Sequence, residues 1–226
     1  MTVALPQVAM AEVPWLDRLA HDLRGPLAPL QTASYLLQRD DLDPVRRQEL
    51  LAMVERQTRR LGSMLDELND WVRAGQQRLL GPREHCEPAL LLDYALVGCG
   101  LAGTAVDEDG NIAIVDGDPQ RLTQLLRALL DYAGNRGNPP VLSLRSGEGR
   151  VRIEVRVPGA PPDAAQLQTL LLQPQAEPFD EGLGLRLLIA RAIAQAHGGD
   201  LEAIVVGDRL RLRCELPLAD QPPAAT

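Results

Sequence analysis

From Trp15 to about Gln38, the residues Leu16, Ala20, Leu23, Leu27, Leu30, Ser34 and Leu37 recur at alternating spacings of three and four. That row is the seam of a long helix packing against others, and Pro26 is expected to interrupt and bend it locally. The run Arg39-Asp40-Asp41-Leu42-Asp43-Pro44 reads as a short turn, with Asp43 as the N-cap and Pro44 as the first residue of a second helix. There Leu50, Val54, Leu61, Met64, Leu65, Leu68 and Val72 carry the same seam to about Arg73, with Gln57 as its polar interruption. Two helices of roughly 25 to 30 residues, each about 40 Å long, form a hairpin. A lone hairpin with one apolar stripe per helix cannot bury both stripes completely. Pairing two hairpins into a four-helix bundle does so and makes a homodimer, the alternative being a hairpin packed on the rest of its own chain.

Beyond Arg73 the pattern changes. Gly75, Gly81 and Pro82 mark a linker, and shorter segments follow. Helices are expected over 88–97, 119–133, 163–172 and 184–197. Strands are expected over 111–115, 140–145, 150–157, 201–206 and 209–216, the last two joined at Gly207-Asp208. This mixture predicts an α+β fold, one sheet with helices on a face. The domains are then 11–75 and 83–218, followed by a disordered tail over 219–226.

Composition narrows the chemistry. The chain has 226 residues, 45% hydrophobic and 24% charged, which suits globular structure. Its 31 acidic and 23 basic residues give a net charge of −8, against the basic footprint of a nucleic-acid binder. Every basic residue is arginine. Mechanisms that need lysine, such as Walker A loops, Schiff bases and kinase-type lysine–glutamate pairs, are thereby excluded. Cys86, Cys99 and Cys214 lie far apart, so neither a zinc site nor a disulfide framework is indicated. No apolar run reaches the roughly 18 residues of a membrane span and no secretory leader is expected, while the scattered cysteines fit a reducing cytoplasmic setting.

His21 stands beside the seam residue Ala20, which places its imidazole on the outer face of the bundle. The stretch His21-Asp22-Leu23-Arg24-Gly25-Pro26-Leu27 resembles the phosphoacceptor box of two-component sensor histidine kinases, commonly His-Glu-Leu-Arg-Thr-Pro-Leu. A neutral imidazole is a competent nucleophile toward phosphorus near pH 7, and a neighbouring carboxylate orients it and takes its proton. The resemblance implies His21 as nucleophile, Asp22 as its orienting base and Arg24 as a partner for phosphoryl charge. Gly25 stands where members that also dephosphorylate their receiver carry a water-positioning threonine or asparagine, so phosphatase activity is not implied.

Farther on, Gly182-Leu183-Gly184-Leu185 and then His197-Gly198-Gly199 resemble the final glycine box of the same family. There, backbone amides at a helix N-terminus approach the ATP phosphates. The resemblance implies a Bergerat-type ATPase-like sandwich for the second half, with Gly182, Gly184 and Leu185 as a remnant nucleotide site. His197 reads as structural, and His85 carries no motif. The segment from Asp118 to Leu126 resembles the start of the family's asparagine-box helix, yet Ala128 and Tyr132 stand where the asparagines hold Mg²⁺ and phosphate. Val157-Pro158-Gly159-Ala160-Pro161 lacks the adenine-binding aspartate. Glu177-Pro178-Phe179 resembles the phenylalanine box, but only Asp180 and Glu181 separate it from Gly182.

An intact phosphohistidine box beside a decayed ATP site resembles the kinase-derived histidine phosphotransferases, which relay phosphoryl between response-regulator receivers. Binding of ATP is then weakened or lost, and Mg²⁺ comes with the receiver. A second reading keeps autophosphorylation from ATP, with Asp131 or Asn135 replacing the missing asparagine. A third is a non-catalytic scaffold that binds a receiver or a kinase. The family resemblance places receiver specificity around Gln31, Ser34 and Tyr35.

Overall fold

The computed structural model describes residues 13–219 apart from 111–112, 138, 176–177 and 180–181. Residues 11–12, the side chains of Trp15 and Leu16, Glu177, Asp180, Glu181 and the expected tail from Asp220 lie outside the described residues. The chain forms two compact units that meet between Asp66 and Glu67.

The first unit holds α1, Val13–Leu37, and most of α2, Pro44–Gly75. The expected interruption at Pro26 does not end α1, which runs through both Pro26 and Pro29. Each proline forfeits one backbone bond of the ladder, and Pro26 itself is buried. The turn forms as its residues dictate. The Asp43 carboxylate accepts the Arg46 amide at 3.2 Å, and the Asp43 carbonyl accepts the Arg47 amide at 2.9 Å. Ala33, Leu50 and Met64 are fully buried, whereas Leu27, Tyr35, Leu51 and Leu65 remain exposed. Leu51 and Leu65, with Val72 farther along α2, repeat at multiples of seven, a heptad row that this single chain leaves open.

The second unit runs through β1 (Glu84–Cys86), α3 (Pro88–Gly98), β2 (Val106–Glu108), β3 (Val115–Gly117), α4 (Pro119–Gly134), β4 (Val141–Gly147) and β5 (Arg150–Val157). It continues with α5 (Ala164–Thr169), α6 (Arg186–Ala196), β6 (Asp200–Val206) and β7 (Arg209–Pro217). Five strands order as β2-β4-β5-β7-β6, with β2 parallel to β4 and the other pairs antiparallel, while β1 and β3 pair separately. Val151, Ile153, Val155 and Val157 of β5 are buried together with Leu210, Leu212, Cys214 and Leu216 of β7. The period-two alternation of both strands turns these side chains to one face. Helix α4 packs on α3, α6 and β5, so the helices form the second layer.

Two sequence expectations need correction. The strand expected over 111–115 is instead β3 over 115–117, and β2 precedes it at 106–108. The apolar run Ala113-Ile114-Val115 looked like the strand, but pairing with β1 fixes its position, Cys86 opposite Val115 and Glu84 opposite Gly117. The helix expected over 163–172 is the shorter α5, opened by a reciprocal capping box between Asp163 and Gln166. The β4–β5 hairpin turns at Glu148 (φ 52°) and Gly149 (φ 73°), the left-handed pair of a tight two-residue turn. Among the described residues no helix is long and apolar enough to cross a membrane.

Candidate phosphoacceptor and anion site

In the first unit, α1 presents His21 to solvent with 86% of its side chain exposed. Its Nδ1 lies 3.2 Å from Oδ1 of Asp22, which is only partly exposed. A carboxylate there accepts Nδ1–H and leaves the Nε2 lone pair facing outward. Arg24, three residues on, is exposed as well. A Cβ added at Gly25 would meet nothing within 4 Å, so packing does not demand glycine there. Gln31, Ser34 and Tyr35 are all exposed on the same helix.

In the second unit, the glycine box leads directly into α6. Gly184 has φ 75°, and a Cβ there would lie 2.6 Å from the Gln175 carbonyl oxygen, so only glycine fits without displacement. Its carbonyl accepts the Gln175 amide at 3.0 Å. The amides of Leu183 and Leu185 both donate to Oε2 of Glu67, at 3.1 and 3.4 Å. Arg186 reaches Oε1 of Glu67 at 3.4 Å and Oδ2 of Asp131 at 3.2 Å. The carboxylate of Glu67 thus sits at the positive end of α6, where fixed donors favour an anion. One turn later on α2, Asp70 accepts from Arg121 at 2.8 Å and from Gln124 at 2.7 Å, both on α4.

Helix α4 starts where the sequence places it. Asp118 accepts the amides of Gln120 and Arg121 with Oδ1, and the Gly81 amide with Oδ2. Ala128 is buried and offers no ligand. The Tyr132 ring meets Phe179 edge-on at 5.4 Å between centroids and lies 5.0 Å from the Arg136 guanidinium carbon. Burial raises the Tyr132 hydroxyl above its ordinary range, against the pull of Arg136. A cavity of about 650 Å³ opens beside Tyr132, Asn135, Arg136, Gln166 and Phe179. Asp131 is engaged by Arg186, and the Asn135 side-chain amide donates to the Asp131 carbonyl at 2.9 Å. His197, expected to be structural, is buried and bonded to two backbone groups.

The site residues named from sequence therefore fall into two sets. His21, Asp22 and Arg24 belong to the first unit, and Gly182, Gly184 and Leu185 to the second. Glu67, Asp70 and Arg186 escaped the sequence reading. The available signal was Glu67 in one helical row with Met64 and Trp71, an acid inside an apolar stripe.

Residues 15–77 match the model of the His kinase A (phospho-acceptor) domain, and residues 117–220 match that of the histidine kinase-, DNA gyrase B- and HSP90-like ATPases. The chain belongs to the two-component histidine kinase family.

This histidine kinase family member is 29% identical to the sensor histidine kinase ZraS of Klebsiella oxytoca over 82% of its own length and 41% of that protein. It is 27% identical to the sensor protein DivL of Caulobacter vibrioides over 99% of its own length and 30% of that protein. The matched share of such relatives runs from 24% to 56% of their length. Among solved structures, the Acinetobacter baumannii histidine kinase AdeS superposes with a TM-score of 0.65 at 20% identity, covering 88% of this chain and 98% of that one. The histidine kinase ThkA, solved in complex with the response regulator protein TrrA, gives a TM-score of 0.68 at 18% identity over 92% of this chain and 62% of that one. These likenesses carry the fold: a helical N-terminal region followed by a mixed α/β domain.

Proposed function

We propose that this histidine kinase family member carries a phosphoryl group on His21 and acts as a dimeric histidine phosphotransferase between response-regulator receivers in the cytoplasm. The observation that carries the reading is the exposed imidazole of His21 with Nδ1 turned to Asp22. Nε2 attacks the phosphorus of a receiver's aspartyl phosphate, the new N–P bond replaces the P–O bond, and the aspartate leaves as carboxylate. Asp22 holds Nδ1–H and offsets the positive charge that develops on the ring. Arg24 supplies a guanidinium for the phosphoryl oxygens. Mg²⁺, held by the receiver's own acidic residues, would screen the charge of those oxygens.

The nucleotide half supports relay over autophosphorylation. ATP needs free amides at the glycine box and oxygen ligands for its Mg²⁺ on α4. In this arrangement two of the amides are engaged by Glu67, Ala128 is apolar and buried, and Tyr132 is packed on Phe179. The residues present do not fit MgATP as they stand, and no step is assigned to it.

The kinase reading rests on two features. The match to the ATPase model spans residues 117–220, and the cavity of about 650 Å³ beside Tyr132 has room for a ligand.

The test uses a receiver labelled on its aspartate with ³²P. Wild-type protein takes up acid-labile label and His21→Ala takes up none; uptake by His21→Ala would sink the assignment. Incubation with labelled ATP and Mg²⁺ separates the readings, since relay predicts no label from ATP and autophosphorylation predicts label on His21.

A further inference from the structure

Helix α6 has 11 residues and no side-chain cap of its own. The donors at its start are instead taken by a residue 116 positions earlier, Glu67, whose side chain is 7% exposed. One carboxylate oxygen accepts both amides and the other faces Arg186, which in turn reaches Asp131. These donors suit the terminal oxygens of a phosphate, with the same charge sign, the same hydrogen-bond roles and the same helix end. Two anions cannot share them. A phosphate on the Leu183 and Leu185 amides would stand within hydrogen-bond distance of Glu67, in a buried place where like charges repel strongly.

We infer that Glu67 is a built-in competitor at the glycine box. It masks an anion site selective for a phosphate-bearing ligand, and the site opens only when Glu67 is withdrawn. The gate is mechanical as well as electrostatic, because the next turn of α2 is fastened to α4 through Asp70, Arg121 and Gln124. Withdrawing Glu67 by a shift of the last turns of α2 must also release those bonds; it exposes Arg186 to the incoming anion and couples ligand binding to the position of that helix. The inference concerns the second unit by itself and does not depend on phosphoryl transfer at His21.

The test is calorimetric titration of the full chain with inorganic triphosphate, comparing wild type, Glu67→Ala and Glu67→Gln, alongside hydrogen exchange at the Leu183 and Leu185 amides. Wild type is expected to bind weakly, and Glu67→Ala at least tenfold tighter. Exchange at the two amides should be fast in Glu67→Ala and slow again once triphosphate is added. Glu67→Gln keeps the size and an acceptor without the charge, so it should fold as wild type and show an intermediate gain. Equal binding by all three proteins overturns the inference. Equal and tight binding also removes the proposed loss of nucleotide affinity, whereas equal absence leaves the relay at His21 standing.

Discussion

Nε2 of His197 accepts the backbone amide of Asp118 at 3.0 Å, and Nδ1 of the same ring lies 2.8 Å from the Ile193 carbonyl. An amide can only donate and a carbonyl can only accept, so the ring is neutral with its proton on Nδ1. Through this ring the end of α6 is tied to the start of α4, at the residue that caps α4 and receives the Gly81 amide. The bland reading of a histidine before a glycine turn is therefore the physical one. Gly117 is needed beside it, because a Cβ there would lie 2.7 Å from the imidazole.

A pH dependence follows. Burial holds the His197 imidazole below its ordinary value, the Ile193 carbonyl pulling the other way. The unfolded chain then binds this proton more readily than the folded one, so stability is complete above about 6.5 and falls as pH drops from there toward the depressed folded value. The urea midpoint is expected to be lower at pH 5.5 than at pH 7.5. His197→Phe should lose about 1–3 kcal/mol at pH 7.5, the cost of leaving the Asp118 amide unpaired, and should flatten the change between the two pH values. An unchanged slope in that variant would show that other groups set it.

Gly184 offers a second handle. Its φ of 75° and the 2.6 Å approach of an added Cβ to the Gln175 carbonyl combine left-handed strain with a clash against backbone. The two together should cost Gly184→Ala about 2–4 kcal/mol, read as a fall of several degrees in Tm. Gly25→Ala, inside α1 and facing open space, gains helix propensity but sets a Cβ against the ring of Pro26 that follows it, so its melting curve should stay close to that of wild type. Similar melting curves for the two variants would remove the distinction between a demanded glycine and a permitted one.

Local patterns carried much of the fold into the sequence, and distant contacts carried what was missed. The Asp43-Pro44 and Asp118-Pro119 helix starts, the hairpin at Gly207 and the alternation of β5 and β7 each depend on neighbours within a few residues. So does the box around His21, whose Asp22 contact spans one position. The strands β1, β2 and β3 were missed or misplaced because each is three residues long and is defined by its partner: Cys86 by Val115, Val106 by Leu142. Glu67 was legible only as an acid in one helical row with Met64 and Trp71. Its meaning lies in two amides of the glycine box, which the chain reaches only after β5 and α5. The absence of asparagine at Ala128 and Tyr132 could be read from the sequence alone, but what those two residues do, a buried surface and an edge-on ring pair with Phe179, needed the packing.

The open row on α2 predicts a dimer. Leu65 is 55% exposed, and Leu51 and Val72 lie in the same heptad row. Covering such a row with its copy in a second chain completes a four-helix bundle, which the match to the phospho-acceptor domain supports. Sedimentation of the wild type should give a dimer. Leu65→Glu, at a position 55% exposed in the single chain, should shift it to monomer at micromolar concentration without lowering helical content. A monomeric wild type would mean that the row is covered in some other way.

Asp22 is where the proposed chemistry is most exposed to failure. It is held 3.2 Å from Nδ1 of His21, and its contribution is charge: it accepts Nδ1–H in the resting ring and stabilises the cation that forms as Nε2 bonds to phosphorus. Asp22→Asn keeps the shape and removes the charge, so transfer from a phosphorylated receiver should slow by about 10²-fold while the Tm stays within a degree of wild type. Asp22→Glu lengthens the arm by one methylene and keeps the carboxylate, so it should restore most of the rate, in keeping with the acid of the common motif. The pattern matters more than the size of the loss. If Asn and Glu slow transfer alike, Asp22 positions the helix or the partner and His21 reacts without its charge; if Asn is slow and Glu fast, the carboxylate charge itself is what the histidine uses.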